Sequence, residues 1–243
     1  MRVKVIVCYN GSNYRGWQIQ KDGCTIQKTI QDVMKVITHE EVKIVGSGRT
    51  DAGVHALGQV FHFDTELKLS EGDWKIALNT LLPSDIRVKE IEFVLEDFHA
   101  RFSAVKKVYQ YYLNMGEFNP FAYQTVFQYG NNLDVDKMAE SAKALIGKHD
   151  FTSFCVNKKE VIENRVKELY DISITKTENI VMFEFVGKGF LRHMVRMMVA
   201  TLIKVGEGKL TDKDVQGILE AKSKESCAFN APACGLYLVE VSY

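Results

Sequence analysis

The opening octapeptide, Arg2-Val-Lys-Val-Ile-Val-Cys-Tyr9, places Val3, Val5, Val7 and Tyr9 on one side of an extended chain, a period-two pattern that specifies a strand covered on one face. The next segments narrow the fold further. From Thr25 to Ile37 the period changes, and Ile26, Ile30, Val33, Met34 and Ile37 fall on one helical face. Alternation returns over 41–46, 58–64 and 86–94, and Trp74, Ala77, Leu78 and Leu81 predict a second helix between the last two strands. The order is βαββαβ, the split βαβ or ferredoxin-like arrangement.

The remainder repeats that order. Strands are predicted near 107–113, 166–175, 180–186 and 236–242, and helices near 135–146 (stopped by Gly147), 190–205 (stopped by Gly206) and 212–221. The predicted fold class is therefore α+β. Two ferredoxin-like halves, 1–100 and 101–243, share a mixed, mainly antiparallel central sheet flanked by helices, with a cleft between the halves.

Composition excludes several alternatives. Of the 243 residues, 46% are hydrophobic and 26% charged, enough apolar material for a large core and too much for a disordered chain. No run approaches the roughly 18 apolar residues of a membrane span, and the alternating start is unlike a signal peptide, so a cytoplasmic protein without a membrane partner is expected. The five cysteines are scattered, with no Cys-x-x-Cys pair, and the six histidines lack ligand spacing; reduced thiols and no metal are expected. Net charge is zero, which alone argues against nucleic acid, but it is unevenly spread. Nine acidic residues face four basic ones between Asp64 and Asp97, whereas Lys188, Arg192, Arg196, Lys204 and Lys209 face only Glu207 between Val186 and Lys209. One face is predicted to be positive.

Three places are candidates for chemistry. Gly46-Ser-Gly-Arg-Thr-Asp-Ala-Gly-Val-His55 lies between two predicted strands and is too long for a minimal hairpin turn. Its glycines permit sharp bends or close approach, and Arg49 and Asp51 bracket Thr50; the competing reading is an Asp-x-Gly turn with an exposed charge pair. Tyr109, in a strand whose aromatic residues follow Arg101, Lys106 and Lys107, combines a flat ring with cations, as a site for an unstacked base would, or else belongs to an ordinary core strand. Arg192 and Arg196, spaced one helical turn apart, form either a solvated basic face or a cation source for a carboxylate.

Together these features resemble one family, the tRNA pseudouridine synthase A family. The likeness runs through Tyr9-Asn-Gly-Ser-Asn-Tyr-Arg-Gly-Trp-Gln18, Thr25-Ile-Gln27, Gly48-Arg-Thr-Asp-Ala-Gly-Val-His-Ala56 and Gly58-Gln-Val60. It continues in Leu78-Asn-Thr-Leu-Leu-Pro-Ser-Asp-Ile86, Ala100-Arg-Phe-Ser-Ala104, Tyr109-Gln-Tyr111 and Asp150-Phe-Thr-Ser-Phe154. Gly189-Phe-Leu-Arg-His-Met-Val-Arg196, Ala231-Pro232 and Gly235-Leu-Tyr-Leu238 complete it.

The resemblance implies that Asp51 is the catalytic aspartate, Arg49 its motif neighbour, Tyr109 the ring that packs on the target base, Arg196 the basic partner of the aspartate, and Leu236 an apolar residue lining the pocket. It implies conversion of uridine to pseudouridine in the anticodon stem-loop of tRNA (positions 38–40) without metal or small-molecule cofactor, by a homodimer with a basic cleft that also holds the tRNA body. Phosphate contacts are expected from Arg49, Arg101, Lys106, Lys107 and Arg192. The alternatives are another tRNA or rRNA site, a noncatalytic RNA-binding protein, or a nucleosidase; the last ordinarily needs a second carboxylate. Lys167, in the segment from Glu163 to Tyr170, and Ala233-Cys234 depart from the family pattern.

Overall fold

A computed structural model of the protein describes residues 1–156 and 164–243; of the segment from Glu163 to Tyr170, Glu163 lies outside them. The chain forms two compact units, Met1–Val105 with Tyr237–Tyr243, and Lys106–Leu236. Among the described residues, pairing between the ten strands is mostly antiparallel with parallel exceptions, and helices complete an α+β fold.

The first unit contains β1 (Arg2–Tyr9), α1 (Ile26–Thr38), β2 (Val45–Gly46), β3 (His55–Asp64), α2 (Glu71–Leu81) and β4 (Ile86–Val94). Its strands lie in the order β4-β1-β3-β2, each pair antiparallel, which is the ferredoxin-like arrangement. Register puts Val3 opposite Phe63 and Val5 opposite Phe61, so these side chains share a face. That face carries the core: Val3, Val5, Val7, Phe61 and Phe63 are buried with Ile26, Ile30 and Met34 of α1 and Trp74 and Leu78 of α2. Trp74 meets Phe63 edge to face at 5.2 Å. Thr25 caps α1 and Ser70 caps α2, each hydroxyl accepting from a first-turn N–H.

Two boundaries depart from the periodicity for identifiable reasons. Alternation predicts a strand over 41–46, yet only Val45–Gly46 pairs. Side chains of α1 take the carbonyls a strand partner would use: Gln31 Nε2 donates to Val42 O (2.8 Å) and Gln27 Nε2 to Ile44 O (3.2 Å). Conversely, β3 begins at His55 because the last strand, β10 (Leu236–Ser242), pairs in parallel there, Tyr237 with His55 and Leu238 with Ala56. The C-terminal residues 237–243, read from sequence as part of the second half, thus pack with the first unit.

The second unit has β5 (Lys106–Asn114), β6 (Phe127–Gln128), α3 (Val135–Ala142), β7 (Gly147–Asp150), β8 (Val166–Thr177), β9 (Ile180–Gly187), α4 (Met194–Gly206) and α5 (Asp212–Ala221). Strands β5, β9, β8 and β7 are neighbours in that order and antiparallel, with β6 parallel to β5. Helix α4 is buried on nearly every side, including Met194, Met198, Val199, Leu202 and Ile203. Its end, Gly206, lies so close to α3 that an added Cβ would stand 2.7 Å from Met138 Sδ. Among the described residues no helix is long and apolar enough to cross a membrane.

On the face of β3 opposite the helices, His62 is buried against the rings of Phe98 and His99, and its Nδ1 accepts from Ala100 N at 3.1 Å. Burial, reinforced by the nearby charges of Arg2 and His99, holds its pKa down at about 4. An unfolded histidine titrates near 6.5, so as pH falls from about 6.5 to about 4 the unfolded chain gains a proton that the folded one refuses, and stability is lost across that window. Urea unfolding at pH 7, 6, 5 and 4 should show this decline. His62→Asn, whose Oδ1 can replace Nδ1 as acceptor, should flatten it; an unchanged slope would contradict the assignment.

Candidate active site

The loop from Ser47 to Val54 is held first by backbone contacts. Ser47 N donates to Val60 O (2.7 Å), Trp17 N to Thr50 O (3.1 Å), Gly53 N to Tyr14 O (3.2 Å) and Val54 N to Asp51 O (3.1 Å). Two segments of chain meet here, the loop itself and the Tyr9–Gln18 motif, and glycines make the approach possible. Gly16 has φ +88, and a Cβ on it would lie 2.5 Å from Thr50 O and 3.0 Å from Asp51 C. Gly11 is closer still, since its Cβ would fall 2.0 Å from Val54 O. The same motif is tied to α1, with Ile26 N donating to Gly16 O and Gln27 N to Trp17 O. The loop therefore rests on a helix N-terminus through Gly16 and Trp17.

Side chains finish the clamp from inside. The buried hydroxyls of Tyr9 and Thr50 are 2.8 Å apart. Ser47 Oγ donates to Gln59 Oε1 (2.7 Å), Gln59 Nε2 donates to Gly48 O (3.2 Å), and Gly11 N donates to His55 Nδ1 (3.1 Å). Of the three central residues, Thr50 is buried, Arg49 exposed and Asp51 half-buried. The arrangement presents one carboxylate from a backbone that has little freedom to move. Such rigidity is what positioning a reactive group requires.

Arg101, also in the first unit, lies in a turn fixed by His99, whose Nδ1 accepts from Arg101 N (3.1 Å) and Phe102 N (3.2 Å). Its guanidinium sits 5.6 Å from the Phe102 ring centre.

The other candidates belong to the second unit. Tyr109, 9% exposed, projects from β5 and meets Phe190 edge to face at 4.9 Å, which fixes its ring. Strand pleating places Lys107 on the same face as Tyr109 and Lys106 on the opposite face, so the two lysines cannot serve one ligand from β5 alone. Leu236 is buried at the start of β10.

Arg196 is in the first turn of α4, where a cation opposes the helix dipole. Something other than helix stability keeps it there. Its Nε donates to Ala231 O (2.7 Å) while Ala231 N donates to Arg196 O (3.1 Å), and Tyr111 donates to the adjacent Pro232 O (2.9 Å). Arg196 also acts electrostatically on Tyr111 and Cys234, partly offsetting the burial that raises both their pKa values. Ala231–Cys234 is thus the backing of Arg196, and the departure at Ala233-Cys234 falls on it.

Arg192 is not where helical spacing put it. Helix α4 starts at Met194, and His193 before it has φ 64. That left-handed residue breaks the helical path, so Arg192 lies in the exposed preceding turn and not one helical turn from Arg196. Lys167 is on β8, paired with His149. Among the described residues no three His, Cys, Asp or Glu side chains are grouped to hold a metal ion.

Residues 5–103 and 141–243 match the family model described as tRNA pseudouridine synthase. The chain belongs to that family. Full-length relatives agree. It is 44% identical over 242 residues to a protein called tRNA pseudouridine synthase A from Exiguobacterium sp. strain AT1b, covering 100% of this chain and 98% of the relative. A protein of the same name from Staphylococcus carnosus is 44% identical over 247 residues (99% and 90%), and one from Bacillus subtilis 42% over 247 residues (100% and 99%).

The positions of Tyr9, Gly11, Gly16 and Thr50 give a direct test of the clamp. Gly16→Ala combines positive φ, costing on the order of 1–3 kcal/mol, with collision against Thr50 and Asp51. Gly130→Ala is its control, because Gly130 has φ +77 and open space around it. Thermal unfolding should show Gly16→Ala clearly less stable than Gly130→Ala. Equal losses would mean that the loop yields readily.

Proposed function

We propose that this protein isomerises uridine to pseudouridine in tRNA, with Asp51 as the catalytic carboxylate. One observation carries the assignment: in a chain of this family, Asp51 is a half-buried carboxylate on a loop immobilised by the Tyr9–Gln18 motif. The reaction breaks the N1–C1′ bond, turns the uracil in place and joins C5 to C1′. C5 releases its proton and N1 ends protonated, so no atoms are gained or lost overall.

An ionised carboxylate serves each of the available routes, namely attack on C6, attack on C1′ or removal of the C2′ proton. Arg196 is assigned as the cation that pairs with the Asp51 carboxylate when RNA is bound, a charge-assisted contact between opposite charges. Tyr109 is assigned to the face of the target base and Leu236 to the apolar wall of its pocket. A uridine in a stem must first leave the stack, at a cost of a few kcal/mol; phosphate contacts from Arg49, Arg101, Lys106, Lys107 and Arg192 would offset that cost. The two lysines would then contact different parts of the RNA. The substrate region is the anticodon stem-loop, and the working form is a cytoplasmic homodimer.

The test uses tRNA tritiated at uracil C5. The protein should release label to water while the base stays in the polymer, and Asp51→Asn and Asp51→Ala should lower the rate by at least about a thousandfold, as expected when a residue central to the chemistry is removed. No label release by the parent would leave a binding protein, and liberated free uracil a nucleosidase. Full activity of both Asp51 variants would refute its assignment.

A further inference from the structure

We propose that Tyr9 is a positioning residue for the reaction: its buried hydroxyl, bonded to Thr50, sets the direction in which Asp51 presents its carboxylate. The inference rests on the activity proposed above and adds a residue that never touches RNA.

The geometry is specific. Tyr9 ends β1, 4% exposed, and its hydroxyl meets Thr50 Oγ1 at 2.8 Å across a separation of 41 residues. Thr50 is the residue immediately before Asp51, and its own carbonyl accepts from Trp17 N at 3.1 Å. The peptide joining Thr50 to Asp51 is therefore held at its oxygen by Trp17, while the Thr50 side chain is held by Tyr9. Fixing both groups removes rotation about the Thr50 backbone, the motion that would swing Asp51.

The tyrosine ring is itself wedged. It lies 6.1 Å from Trp17, whose ring is 6.1 Å from Phe61 in the core. Gly46 passes so near Trp17 that a Cβ would stand 2.7 Å from the indole nitrogen. The Tyr9 hydroxyl also has the Gln59 carboxamide as a polar neighbour, and Gln59 grips the same loop through Ser47 and Gly48. A hydroxyl so enclosed has no route to substrate. Its effect on chemistry passes through Thr50.

A core tyrosine that only stabilises the fold would affect turnover through the folded fraction or substrate affinity. A positioning tyrosine lowers the rate constant of the folded, tRNA-saturated protein. Single-turnover tritium release should be measured for Tyr9→Phe, Thr50→Val, Thr50→Ser and the Tyr9→Phe/Thr50→Val double variant, with tRNA affinity and thermal unfolding measured alongside. Tyr9→Phe and Thr50→Val should each slow release roughly 10- to 100-fold, the scale of a small misplacement of a reacting group, with tRNA affinity within about twofold. Thr50→Ser, which keeps the oxygen, should restore most of the rate. The double variant should be no slower than either single change, since both remove one bond.

A parent-like rate in Tyr9→Phe, a loss confined to tRNA affinity, equal defects in Thr50→Ser and Thr50→Val, or multiplicative defects in the double variant would each overturn the inference. Should Tyr9→Phe fail to fold, the Thr50→Ser and Thr50→Val pair decides by itself. An inactive parent would overturn this inference and the proposed function together; an active parent with an unaffected Tyr9→Phe would overturn this inference alone.

Discussion

The backbone N–H of Trp17 donates to Thr50 O at a point where the chain can approach only because Gly16 has no side chain. Much else in the first unit is arranged around that contact. Strand β1 delivers Tyr9 to the inner side of the loop, α1 fixes Gly16 and Trp17 through its first N–H groups, and β3 returns Gln59 beneath Ser47 and Gly48. A ferredoxin-like sheet brings β1 and β3 together as neighbours, and the loop before β3 inherits its position from that pairing. The fold thus converts a glycine-rich segment, the sort of sequence that usually moves, into a fixed platform for one carboxylate.

The second unit treats its arginine similarly. A cation in the first turn of α4 is unfavourable for the helix, and Arg196 is kept in place by a reciprocal pair of hydrogen bonds with Ala231. Tyr111 on β5 holds the neighbouring Pro232 carbonyl, so that strand, α4 and the segment before β10 meet at the guanidinium. Both units combine backbone hydrogen bonds with buried side-chain contacts to place a charge.

Much of the architecture was legible in the sequence because it is periodic: β1, β4, α1 and α4 each show a long run of one period. What escaped was decided by contacts distant in sequence. Strand β2 is shortened by glutamine side chains from α1, and β3 is lengthened by the chain's last strand. Strands β6 and β7, of two and four residues, are too short for alternation to register. Within the candidate site, Asp51 and Arg49 stood out through motif and spacing. The left-handed His193 that takes Arg192 off α4 has no compositional signature. Nor does the bond between Tyr9 and Thr50, since a tyrosine closing a strand reads as core whether or not its hydroxyl has a task.

Whether Asp51 acts on a uridine held out of its RNA stack can be seen in a structure of Asp51→Asn bound to a substrate tRNA. The complex should show an extruded uridine whose C1′ or C6 lies roughly 3–3.5 Å from the substituted side chain at position 51, a distance suited to reaction, with the Tyr109 ring on the base. A tRNA seated with its target uridine still stacked, or extruded at a place remote from that side chain, would contradict it.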